Sequence, residues 1–322
     1  MKTTTIRAFL VGLTMVFSLV SQAQVWPGQT IRIIVPFTPG TGMDTIARTV
    51  SPRLAERLGQ PVIVQNVPGA SGNIGADNVA KATPDGYTVL MGANTMLITS
   101  QLYKNVAFNP VSDFSPVSMA AYGTLMLVAN PKTGIKSMND LVALVKARPG
   151  FVTYGSPGIG TPHHMAMELF KSQVQGFMLH VPYKGTAGYV QDLLGGELMV
   201  GFLPVHVAQG FVSSGKLTAL AVGSDKRHPV APNVPTIEEF GINGVNVDMW
   251  YGFFVPAKTP STVVGRLNSE IAAIMKLPEV QSVLTKAGLD ASSSSPAELT
   301  SVVGKDYQRW GSVIKRNAIV GE

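Results

Sequence analysis

A β-branched run that feeds a glycine- and proline-rich loop and then a helix occurs twice in this chain, and few folds accommodate that repetition. The first copy is the run Thr30-Ile31-Arg32-Ile33-Ile34-Val35, the loop Pro36-Phe37-Thr38-Pro39-Gly40-Thr41-Gly42-Met43-Asp44, and a helix marked by Ile46, Ala47, Val50, Leu54, Ala55 and Leu58. The second is Val152-Thr153-Tyr154, the loop Gly155-Ser156-Pro157-Gly158-Ile159-Gly160-Thr161-Pro162, and a helix from His163 to Phe170. At such junctions the first backbone N–H groups of the helix lack intrahelical partners, and the helix dipole favours a small anion there. Two loops of this kind, one in each half, predict a clamp around an anion such as a carboxylate. Neither is a nucleotide loop, because G-x-x-x-x-G-K-[ST] is absent and the spacing is not G-x-G-x-x-G.

Met1 to Ala23 reads as an export signal. Lys2 and Arg7 precede an uncharged apolar run, Ala8 to Val20, and Ser21-Gln22-Ala23 supplies small residues for cleavage near Ala23/Gln24. The run is too short to span a membrane. The chain holds no cysteine, so neither a disulfide nor a lipid-modified N-terminal cysteine is available. Net charge is +6 for the whole chain and falls to +4 once Lys2 and Arg7 leave with the leader. Basic residues do not cluster or interleave with aromatics, which argues against nucleic acid as partner.

Between the two loops the pattern is strand and helix in alternation. Gln60 to Asn66 is a strand, Ile74 to Ala80 helical, and Tyr87 to Met91 a strand ending at Gly92-Ala93-Asn94-Thr95. That order predicts an α/β fold with mixed, mostly parallel sheets flanked by helices. Ligands in such sheets sit beyond the carboxyl ends of strands, where Asn94 and Thr95 fall. Val117 to Asn130 and Asp248 to Val255 are long apolar stretches, read as two crossings of a hinge. Residues 24–122 and 250–322 then form a discontinuous first lobe, and 123–249 the second. Ser295-Pro296-Ala297-Glu298 is a capping box opening the last helix.

Three side chains invite sharper readings. Ser156 is not in a G-x-S-x-G elbow, and no histidine–acid pair can be assigned to it by spacing. His163 and His164 diverge on a helix and cannot share one metal; one ties loop to helix, and the other reaches the cleft. Lys184, in Pro182-Tyr183-Lys184-Gly185, could meet an anion, although loop lysines are commonly just solvated. No metal, cofactor or catalytic set is expected; the alternatives are a ligand sensor presenting its closed form to a signalling partner, and a hydrolase or isomerase using Ser156 or His164.

In sum of motifs the chain resembles the periplasmic solute receptors of tripartite tricarboxylate transporters, the Bug proteins. The resemblance rests on Val35-Pro36-Phe37 with Pro39-Gly40 and Asp44, Ile74-Gly75-Ala76 with Pro84-Asp85-Gly86-Tyr87-Thr88, and Phe108-Asn109-Pro110 with Asp113-Phe114. It continues through Gly158-Ile159-Gly160-Thr161 with His164, Val181-Pro182-Tyr183-Lys184-Gly185, Asp192-Leu193-Leu194-Gly195-Gly196 and Pro235-Thr236. It implies a two-lobed, type II periplasmic-binding-protein fold closing like a Venus flytrap, a monomer that hands a carboxylate to membrane permease subunits. The family's two carboxylate loops correspond to Thr38–Asp44 and Gly155–His164, acting through backbone amides and bridging waters. Asp44 would either meet a ligand ammonium or cap its helix. Thr41 and Met43 depart from the family's usual glycine and small polar residue. Met43, with Phe202 from the second lobe, leans the expected ligand towards an aromatic or bulky apolar carboxylate.

Overall fold

The protein is described by a computed structural model over residues 26–247 and 249–321, so the leader read over residues 1–23 lies outside the described residues. The chain runs β1 (Ile31–Val35), α1 (Gly42–Leu58), β2 (Val62–Asn66), α2 (Asn73–Ala80), β3 (Thr88–Ala93), α3 (Thr95–Leu102), β4 (Phe114–Gly123) and β5 (Leu125–Ala129). It continues with α4 (Met138–Ala147), β6 (Thr153–Ser156), α5 (Pro162–Val174), β7 (Leu179–Pro182), α6 (Thr186–Gly195), β8 (Val200–Pro204), α7 (Val205–Ser213) and β9 (Thr218–Val222). Then come β10 (Met249–Pro256), α8 (Ser261–Met275), α9 (Pro278–Lys286), β11 (Leu289–Ala291) and α10 (Pro296–Arg316).

Two sheets result. The first has the order β11-β4-β10-β3-β1-β2, the second β7-β6-β8-β5-β9. β1 pairs in parallel with β2 and β3, and β6 in parallel with β7 and β8, as βαβ crossovers require. β10 joins the first sheet antiparallel between β3 and β4, and β5 joins the second antiparallel between β8 and β9. Ile31, Ile33 and Val35 are wholly buried, which accounts for the β-branched run read in β1.

The stretch 117–130 is not one strand. β4 and β5 belong to different sheets and change over at Thr124, because β4 finds its partners in β10 and β11 and β5 finds its own in β8 and β9. Two helices, α3 and α7, were not anticipated. Six of the eight residues of α3 are buried, so it lacks the polar face that makes a helix visible in sequence. Helix α6 starts at Thr186, directly after Gly185, and ends at the Gly195-Gly196 pair. The Ser295–Glu298 capping box is present in full, a feature worth about 0.5–2 kcal/mol.

Elements of the two sheets touch closely. A Cβ added to Gly158, after β6, would lie 2.6 Å from the Ser71 hydroxyl, after β2; one on Gly185 would lie 2.4 Å from the Thr38 hydroxyl. Gly160 faces Thr99 and Leu102 of α3 in the same way, and His206 of α7 sits over Gly288 between α9 and β11. Glycine lets these backbones approach where any side chain would hold them apart.

Candidate functional site

Between the two sheets lies a cavity of about 50 Å3. Its wall is made largely of helix beginnings. Thr41 and Gly42 are the N-cap and first residue of α1, Asn94 and Thr95 those of α3, and Thr161 and Pro162 those of α5. Thr186 is the first residue of α6, and Pro204 caps α7. Phe37, Met43, Ala93, Pro157, His163, Met249 and Tyr251 complete it. Among the described residues lining the cavity there is no Arg, Lys, Asp or Glu. Five positive helix ends therefore converge on a small space that holds no formal charge.

Each loop is braced from behind. In the first, Thr41 Oγ1 accepts from the Asp44 N–H at 3.4 Å, and Asp44 accepts from the Gly40 N–H at 3.0 Å. Asp44 also accepts from Arg48 Nε at 3.0 Å and Asn66 Nδ2 at 3.0 Å, while Asn66 Nδ2 donates to the Phe37 carbonyl at 2.9 Å. Burial raises the pKa of Asp44, but the donors Arg48, Gly40 and Asn66 outweigh it and leave the carboxyl below its ordinary value. Asp44 is thus engaged by its own loop and helix. In the second loop, the Gly158 carbonyl accepts from Ser156 Oγ at 3.0 Å and Thr161 Oγ1 at 2.7 Å, and the Gly160 N–H donates to His164 Nδ1 at 3.1 Å.

Behind that loop is a half-buried polar stack. Tyr154 stacks on His180 with ring centroids 4.7 Å apart, and His180 on His164 at 4.4 Å. Glu168 ends the stack, taking the Tyr154 hydroxyl and Lys171 Nζ, the latter at 2.6 Å. Ser156 Oγ lies 2.7 Å from His180 Nε2, yet the serine is wholly buried and does not line the cavity.

The structure divides the residues singled out in the sequence. Phe37, Thr41, Gly42, Met43, Asn94, Thr95 and Thr161 line the cavity. Gly158, Ile159 and Lys184 line a neighbouring space of about 270 Å3, which shares Phe37 and Pro157 with the first. Pro39 and Gly40 are exposed, and Thr38 packs against Gly185. Tyr154, Gly155, Ser156 and Gly160 build the loop's support rather than the cavity wall. Phe202, expected to offer an apolar contact, is buried in the core with its ring beside Gly223. Of the two histidines, His164, carried over by the resemblance, braces the loop, and His163 lines the cavity. Met249 and Tyr251 of β10, with Thr186 and Pro204, are the wall residues that sequence reasoning missed. Thr186 and Pro204 carried a usable signal, since both stand where a strand or its loop gives way to a helix.

Burial alone pushes the His163 imidazole down to about 3, and burial, eased by Glu168 and aided by Lys171, pushes His164 down to about 4. Unfolded histidines protonate near 6.5, so below that pH the unfolded state binds the extra protons and stability falls. The loss runs from pH 6.5 down to about 4 for His164 and about 3 for His163, each contributing up to about 1.4 kcal/mol per pH unit. Urea midpoints at pH 7.5, 6 and 5 are expected to fall steadily, and less steeply in His164→Asn. A midpoint independent of pH over this range would contradict the neutral state of both rings.

Comparison with known proteins places this geometry in a family. The sequence model described as tripartite tricarboxylate transporter family receptor (TctC) matches residues 46–319. The structure resembles that of the periplasmic binding protein BugD, with a TM-score of 0.86 and 29% identity, covering 92% of this chain and 100% of that one. It is similar to R. palustris Rpa4515 with adipate, with a TM-score of 0.87 and 32% identity over 92% of this chain and 100% of the other. It is also similar to MatC from Rhodopseudomonas palustris with bound malate, with a TM-score of 0.83 and 28% identity over 89% and 99%. Its architecture is thus the two-lobed periplasmic-binding-protein fold.

Proposed function

This chain belongs to the tripartite tricarboxylate transporter receptor family, a family of periplasmic solute-binding receptors, and from that premise we propose that it captures a small carboxylate in the cavity between its sheets. The observation that carries the reading is the convergence of five helix N-termini on a cavity whose described wall has no charged side chain. Such termini stabilise an anion by backbone donors and dipole without a cationic partner. Adipate and malate on the related proteins are carboxylates of this kind.

The lobes would comprise residues 24–122 with 250–322, and 123–249, rotating about the changeover at Thr124 and the return into β10. The closed receptor, exported as a monomer after removal of the leader, would deliver its ligand to the membrane permease subunits. A bulky aromatic acid fits less well than the sequence implied. Phe202, which was to supply the apolar contact from the second lobe, is in the core. A hydrolase would need a reachable nucleophile, and Ser156 is wholly buried beside His180.

A thermal-shift screen of residues 24–322 against aliphatic mono-, di- and tricarboxylates, amino acids and benzene carboxylates tests the reading. A ligand at a hundred times its Kd adds about 2.7 kcal/mol, raising the midpoint by roughly 4 °C in a chain of this size. Short aliphatic acids are expected to give the shift. No shift with any acid, together with no acid released from the denatured protein in mass spectrometry, would overturn the proposal.

A further inference from the structure

His163 is the second residue of α5, lines the cavity and is 8% exposed. Neither of its ring nitrogens has a hydrogen-bond partner among the described residues. Its ring meets Tyr189 edge to face, with centroids 6.4 Å apart, so protein closes one side with an apolar contact. A buried polar group left without a partner is costly and persists mainly where something else satisfies it. The cavity is the space from which such a partner can come.

The charge state of His163 narrows what that partner is. The titratable groups on its own helix are engaged elsewhere: His164 stacks on His180, and Glu168 is held by Tyr154 and Lys171. Facing it across the cavity, the titratable side chain is Tyr251, whose phenol burial pushes up and keeps neutral. With no acid beside it and its own pKa pushed down to about 3, the imidazole is neutral. A neutral imidazole offers one N–H donor and one acceptor nitrogen. A carboxylate can only accept and belongs with the helix N-termini; a hydroxyl both donates and accepts.

We propose that His163 is a specificity-determining residue that hydrogen-bonds a hydroxyl carried close to the ligand's carboxylate, so the site prefers a small hydroxycarboxylate over its unsubstituted counterpart. The inference rests on the carboxylate reading above and adds the second polar group to it.

Matched pairs test it: lactate against propionate, and malate against succinate, titrated calorimetrically into the wild-type protein, His163→Leu and His163→Gln. In the wild type the hydroxylated member of at least one pair is expected to bind about tenfold tighter. His163→Leu should erase that preference, so that the two members of each pair bind within about threefold of each other, and His163→Gln should retain part of it. Equal affinities within both pairs in the wild type, or a preference that survives in His163→Leu, would overturn the inference and leave the carboxylate reading standing. If His163→Leu does not fold, the wild-type pairs and His163→Gln decide. Failure of all four acids to bind the wild type, while another carboxylate of the thermal-shift panel does bind, would overturn this inference and leave the carboxylate reading standing. Proton uptake on malate binding, seen as a dependence of the heat on buffer ionisation, would assign the ring to a second carboxylate as imidazolium and overturn the hydroxyl assignment.

Discussion

Valine in place of Gly158 is expected to lower ligand affinity at least about a hundredfold, roughly 2.7 kcal/mol, while the unliganded protein melts within a few degrees of wild type. Gly158 has φ +149°, a conformation that side chains resist, and its added Cβ would stand 2.6 Å from the Ser71 hydroxyl. Strain of this kind costs about 1–3 kcal/mol, and a loop can relieve it by moving. Here movement is what the site cannot tolerate, because the Gly158 carbonyl accepts the bonds from Ser156 and Thr161 that set the start of α5. The clash also lies across the contact between the two sheets, so it opposes their approach. Gly134, at φ +74° with nothing within 4 Å of an added Cβ, is the control. Gly134→Val should lose some stability and keep its ligand. Ser71→Gly in the Gly158→Ala background should recover part of the affinity. Normal binding by Gly158→Val, measured by calorimetry, would mean that the second loop does not close on the ligand.

The second large effect comes from adding charge. Thr186→Asp puts a carboxylate on the first residue of α6, at the cavity wall. For the helix this is favourable by about 0.3–1 kcal/mol, since an acid complements the N-terminal dipole. For a bound anion it is a like charge at close range, worth about 4 kcal/mol at 4 Å with an effective dielectric of 20. The expected result is an unchanged or raised melting temperature with affinity reduced more than about a hundredfold. Thr186→Asn, nearly the same shape without the charge, should bind within a few-fold of wild type. If the aspartate and asparagine variants bound alike, the anion would have to lie elsewhere.

What could be read from the residues was the local logic of each half. The strands β1 and β6, the loops after them and the starts of α1 and α5 were visible because glycine, proline and β-branched residues mark them directly. The choice between His163 and His164 was not visible. Adjacent helical residues differ by about 100° in direction, and only the rotation of α5 against its sheet decides which one faces inward. Met249 and Tyr251 were hidden for another reason: β10 is a buried strand whose residues all look like core, and only its insertion between β3 and β4 brings two of them to the cavity. Phe202 shows the converse, an aromatic residue whose type suggested a ligand contact and whose strand turns it into the core.

The wall of helix starts has a consequence for how such a protein can change over generations. Each of those starts is a property of the main chain, so trimming a side chain cannot delete it; only an added charge or a displaced backbone overrides it. Phe37, Met43, His163 and Met249 carry no such duty and can be exchanged without rebuilding the hold on the anion. A duplicated copy of this receptor could therefore drift from one acid to another by repainting a few wall positions while never passing through a form that binds no acid at all.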